Sequence, residues 1–171
     1  MMFEIDIQNE AGYSVDETRI VDAIAQVLSA HEAPPWSAIT VVLTDNDEVA
    51  ALNRQFRGID APTDVLSFPA DDLPEELAEE LGYLGDLVIA YPYASDQAAQ
   101  LGHALMDSLS LLVIHGTLHL LGYDHDTPEN RADMWAAQET ALIALGIPVD
   151  IVPTLEASPH SEMDENNQDD D

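Results

Sequence analysis

Apolar and polar residues alternate over residues 3–8, with Phe3, Ile5 and Ile7 set against Glu4, Asp6 and Gln8. A period of two predicts a half-buried strand. Over 15–30 the period lengthens: Ile20, Ala23, Ile24, Val27 and Leu28 fall on one stripe of an amphipathic helix, and Pro34-Pro35 punctuates the connection after it. The β-branched run at 39–43 predicts a second strand. Asp45, with Glu48 three residues on, marks the start of a second helix running to about Phe56. A turn containing Pro62 leads into a short strand, and the apolar run at 84–91 predicts another. Residues 94–101 read as a helix stopped by Gly102, and His103 as the opening of a long apolar helix. A last helix has Pro128 in its first turn and stops after Leu145 at Gly146. Between these elements, 71–80 carries six acids around Leu73 and Leu77 and reads as a solvated loop or short helix.

With 171 residues and 46% apolar composition, the chain has the material for one core. Residues 1–153 are expected to form a single catalytic domain. Residues 154–171, rich in Ser, Pro, Asn, Asp and Glu, read as an acidic disordered tail. Without cysteine there are no disulfides, no thiolate metal ligands and no Cys nucleophile. The N-terminus lacks the pattern of a signal peptide. The longest uncharged stretch, 108–123, is sixteen residues, short of the roughly 20 a membrane span needs. A soluble, cytoplasmic protein with no membrane partner is expected.

Charge changes the picture most. The sequence has 34 acids against four arginines and no lysine. Seven of the acids lie from Leu155 onward, so residues 1–154 alone carry a net charge of −23. An acidic tail therefore does not explain the imbalance. The composition fits a highly soluble surface, or adaptation to a high-salt cytoplasm in which self-repulsion is screened. Arg54 and Arg57 hold half of the positive charge, three residues apart at a predicted helix C-terminus. The helix dipole accounts for one such cation, and an anion site is the other reading of the pair.

The chemistry concentrates in His115-Gly-Thr-Leu-His119-Leu-Leu-Gly122-Tyr-Asp-His125, where three of the six histidines fall within eleven residues. His115 and His119 are four apart and share one face of a helix. Gly122 can end that helix and let the turn bring His125 back. Three neutral nitrogens and an open fourth position suit one zinc ion per chain. The spacing is that of the metzincin zinc peptidases except after the first histidine, where their general-base Glu is replaced by Gly116. Asp124 is the nearest carboxylate and is placed to orient a ligand histidine. Asp86 either faces the metal cleft or ends a turn, and His103 reads as a helix-start or supporting group.

Leu52-Asn-Arg-Gln-Phe-Arg57, Asp60 with Pro62-Thr-Asp-Val-Leu-Ser-Phe-Pro69, Leu84-Gly-Asp86 and the histidine motif together closely resemble the YbeY family, in order from about 3 to about 147. The resemblance implies a compact α/β (α+β) fold. Its sheet would be small and mixed, of about four strands with packed helices, and the metal site would lie on a central helix and the turn after it. It also implies a zinc-dependent, single-strand-specific endoribonuclease of 16S rRNA 3′-end maturation and ribosome quality control. The expected partners are then single-stranded rRNA, the small ribosomal subunit and assembly factors. Zinc would be held by His115, His119 and His125, with activity depending on Arg57 and His115. The nucleophile is either water activated by the metal or the RNA 2′-hydroxyl, and the residues leave both open. A zinc peptidase-like hydrolase and a non-catalytic ribosome-associated zinc module are the alternatives.

Overall fold

In the computed structural model, which describes residues 3–70, 74, 76 and 82–151, four strands form one mixed sheet. They are β1 (Glu4–Gln8), β2 (Ala38–Thr44), β3 (Val65–Pro69) and β4 (Tyr83–Ala90), in the order β1-β2-β4-β3. β1, β2 and β4 run parallel, and β3 adds to β4 antiparallel as an edge strand. The small mixed α/β sheet expected from the sequence is present. The acidic stretch at 71–80 falls largely, and the tail at 154–171 wholly, outside the described residues.

Pleating divides β2 and β4 between two layers. Ile39, Val41 and Leu43, with Leu87 and Ile89, face the main core. Val88 and Ala90 face the other way, onto a smaller cluster with Val49 and Leu66. The main core takes α1 (Glu17–Ala30) through the predicted stripe of Ile20, Ala23, Ile24, Val27 and Leu28. The second layer is α2 (Asn46–Arg57), which buries only Val49 and Asn53. Asp45 caps α2 by accepting from the Glu48 amide at 2.8 Å, as the sequence pattern predicts.

Two boundaries differ from expectation. The strand predicted to reach Tyr91 stops at Ala90, and α3 (Tyr91–Leu101) begins at once, with Pro92 in its first turn. Proline is at home there because the first-turn amide has no helical partner in any case. The long helix starts at Leu105 rather than His103, capped by Ala104 without a side-chain bond. This α4 (Leu105–Leu120) is buried without interruption from Ser108 to Leu118. A helix apolar on every side belongs in the middle of a fold. α5 (Pro128–Leu145) then lies against α4 and α1. Among the described residues no single helix is long and apolar enough to cross a membrane.

Candidate metal centre

α4 ends at Leu120, and Gly122 has φ +102°, a conformation that a side chain would strain. The chain reverses there, with the Tyr123 amide bonding the Leu118 carbonyl at 3.0 Å. This brings His125 beside the last turn of α4, as the spacing predicts. One nitrogen from each of His115, His119 and His125 lies within 4.8 Å of the others. His115 is fully buried and His125 nearly so.

Hydrogen bonds set which nitrogens face inward. The Tyr123 carbonyl can only accept, so His119 Nδ1, 3.0 Å away, carries the proton. His115 Nδ1 donates to Gln138 Oε1 at 2.7 Å. Both Nε2 atoms are then bare lone pairs, and they sit 3.1 Å apart. Two acceptors at that distance repel unless a cation lies between them. Tetrahedral coordination at about 2.0–2.1 Å would set neighbouring nitrogens roughly 3.3 Å apart. The donor set therefore fits a metal ion. Burial, then the nearby His125, with Arg57 as a weaker contribution, lowers the pKa of His119 from 6.5 to about 4, against the opposing pull of Asp124 and the Tyr123 carbonyl. A neutral imidazole is the form that binds metal.

The supporting groups include residues that the sequence did not mark. Asp124 accepts from the backbone amide of His125 at 2.8 Å, fixing the turn. The oxygens that fix the rings of His115 and His119 are Gln138 on α5 and the Tyr123 carbonyl. Tyr123 is itself held by His31 at the end of α1, whose Nε2 lies 3.1 Å from the phenol oxygen. Trp135 packs edge-on against both His115 and His125. His103, near the opposite end of α4, is roughly 15 Å or more along the helix axis from His115 and is neither a ligand nor a support.

Gly116 explains why the peptidase base is absent. A Cβ at this position would stand 2.7 Å from Leu87 Cδ2 and 3.3 Å from Ser67 Oγ. The position faces the sheet, with α4 pressed close against β4 and β3. A glutamate here would run into the fully buried Leu87.

Arg57 reaches the same centre from the other side of the edge strand. It ends α2 before Gly58, and with His119, Tyr123 and Ser67 it lines a cleft of about 500 Å³. Arg54 is exposed and does not line that cleft. The loop from α2 to β3 is pinned where the sequence signature lies. Buried Asn53 donates to the Ala61 carbonyl at 2.8 Å, and buried Asp64 accepts from the Val65 amide at 2.8 Å. Asp86 neither ends a turn nor meets the histidines. It lies within β4, accepts from the Tyr83 hydroxyl, and lines a separate groove on the α2 face, where burial raises its pKa above the ordinary carboxylate value.

The sequence profile described as Endoribonuclease YbeY matches residues 4–146. A protein of that name from Chloroflexus aurantiacus is 40% identical over 152 residues, covering 86% of this chain and 99% of the relative. One from Geobacillus kaustophilus is 41% identical over 148 residues, covering 84% and 94%. The solution structure of a Thermotoga maritima protein superposes with a TM-score of 0.54 at 26% identity, covering 99% of this chain and 97% of the other.

Proposed function

Since the chain belongs to the YbeY endoribonuclease family, we propose that it is a zinc-dependent endoribonuclease specific for single strands. It acts in the cytoplasm in 16S rRNA 3′-end maturation and ribosome quality control, with the small ribosomal subunit and its assembly factors as partners. Residues 1–153 are the catalytic unit, and the acidic tail at 154–171 lies outside it. The observation that carries this reading is the pair of inward-facing Nε2 lone pairs of His115 and His119, 3.1 Å apart, with His119 lining a cleft together with Arg57.

His115, His119 and His125 would hold one zinc ion. Zinc polarises a phosphoryl oxygen and lowers the pKa of bound water to about 7. The chain's own residues do the rest. Gln138 and the Tyr123 carbonyl keep the Nδ1 protons in place, so that both Nε2 atoms stay available. The low pKa of His119 keeps it unprotonated at neutral pH. Arg57 offers a planar, permanently charged fork to the phosphate, where it stabilises the charge that builds up as the bond breaks. A cleft of about 500 Å³ is in the range for one small ligand, roughly 300–1,000 Å³. It suits a nucleotide or two of an unpaired strand better than a duplex.

The geometry weighs against a peptidase, because Gly116 points at Leu87 and leaves no place for the general base. The ligand count weighs against a purely structural metal as well, since three nitrogens would leave a fourth position unfilled, where structural zinc sites close with four protein ligands. The test is metal content together with incubation of the protein with a single-stranded RNA, the same RNA annealed to its complement, and casein. One zinc per chain and cleavage of the single strand alone support the reading. Cleavage of casein, or of no RNA by fully loaded protein, overturns it.

A further inference from the structure

Phe56, next to Arg57, is 59% exposed, among the most exposed large apolar side chains described. α2 packs on the sheet through Val49 and Asn53, and Phe56 follows them on the same stripe in the last turn of the helix, yet its side chain stays exposed. Its ring is nevertheless fixed from one side. Phe68 of β3 meets it edge-to-face, with centroids 5.2 Å apart and planes at 67°. Phe56, Phe68 and Pro69 line both the cleft of Arg57 and His119 and the larger groove of about 1010 Å³ on the α2 face. The aromatic pair is thus the ridge between two cavities. Among the described residues, the other exposed large apolar side chains, Trp36, Leu101, Ile143 and Val149, line neither.

Electrostatics sharpen the question of what meets this ridge. The larger groove is walled by Glu10, Asp45, Glu48 and Asp86, with no Arg or Lys among its lining residues. With a net charge of −30, the chain repels a polyanion at long range. Beyond Arg57 and the metal, a substrate strand then depends on contacts that do not rely on charge. Stacking on an aromatic ring is such a contact, and it accepts every base because every base has a π face. It also requires the base to be unpaired and turned out of a helix.

We propose that Phe56, braced by Phe68, is the stacking platform for the unpaired base adjoining the phosphate that Arg57 holds. The inference rests on the endoribonuclease reading above. It places part of the preference for single strands in one aromatic side chain, and it explains how so acidic a protein holds RNA.

The experiment measures steady-state cleavage of a short single-stranded oligoribonucleotide by zinc-loaded wild-type, Phe56→Ala, Phe56→Leu and Phe56→Trp proteins. It is paired with a set of substrates each abasic at one position. Loss of a stacked base weakens binding by roughly 5- to 150-fold, so Phe56→Ala should raise KM at least about fivefold, with kcat changed far less and zinc content unaltered. Trp should restore KM. Leu, apolar but without a π face, should not. Removing one base beside the cleavage point should weaken wild-type binding by the same factor and add little in Phe56→Ala. A wild-type KM in Phe56→Ala, full rescue by Leu, or additive losses from the abasic site and the variant would each overturn the platform. Failure of the wild-type protein itself to cleave RNA would instead overturn the functional reading on which the platform rests.

Discussion

Gln138 lies on α5, 23 residues from His115 in sequence, and its Oε1 accepts the His115 Nδ1 proton at 2.7 Å with both side chains fully buried. Replacing it with Leu keeps the volume close and removes the acceptor. The ring N–H then stays in the core without a partner, at a cost of about 1–3 kcal/mol. When metal is bound, the same loss frees the ring orientation and lowers the basicity of Nε2. Loss of such a support typically weakens metal affinity by about 10–100-fold, which is about 1.4–2.8 kcal/mol. The first cost falls on the stability of the folded chain and the second on metal binding, so Gln138→Leu should bind zinc at least about tenfold more weakly in competition with a chromophoric chelator. Gln138→Glu separates chemistry from packing. A carboxylate accepts the same proton more strongly, and its charge is compensated only when the cation is present. This variant should keep or gain zinc affinity while its metal-free form melts lower than wild type. Wild-type affinity in Gln138→Leu would refute the reasoning. Equal weakening in both variants would show that the effect is one of packing.

Other expectations follow from the same centre. Arg57→Ala should slow cleavage by roughly 100-fold or more with the fold intact, and Arg57→Lys should recover only part of the rate because an ammonium lacks the planar fork; rates from single-turnover assays check both. With the pKa of His119 lowered to about 4 from 6.5, the unfolded chain binds more protons than the folded one between those values. Metal-free stability should therefore be full above about 6.5, fall as pH drops towards about 4, and level off below, with an upper limit of about 3 kcal/mol from this group. Urea unfolding across that range should show the fall in wild type and a shallower one in His119→Gln. Stability and cleavage should both rise from low salt to molar KCl, since the Debye length shrinks from about 10 Å at 0.1 M to about 3 Å at 1 M. A neutral osmolyte at equal osmolality should not reproduce the gain, and a steep fall with salt would count against the reading.

The legible parts of the molecule were the local ones. Period two in β1, the 3.6 stripe of α1 and the Asp45 cap are written within a few residues, and they appear in the structure as predicted. The three histidines were legible because a helix turn and a glycine reversal bring them together within eleven residues. Gln138 was not, since nothing in an amphipathic helix marks which polar residue turns inward. The support from Tyr123 was hidden for another reason, being a backbone carbonyl that any residue could supply. Reading Asp124 as a ligand-orienting group followed sequence proximity, and the carboxylate accepts from the His125 amide, fixing the turn that carries that histidine. The absence of Glu after His115 was visible in the sequence. Its cause, the close approach of α4 to Leu87 and Ser67, is a matter of packing across the chain. The cleft itself needed the sheet order, because α2 and α4 bring Arg57 and His119 together only around the edge strand β3.

The most direct test of the account is a zinc titration of metal-stripped protein with cleavage of an end-labelled single-stranded RNA as the readout. The account predicts no cleavage without metal, a linear rise that saturates at one zinc per chain, and no rise in His119→Ala. Cleavage by the metal-free protein at the loaded rate, or full zinc-dependent activity in His119→Ala, would contradict it.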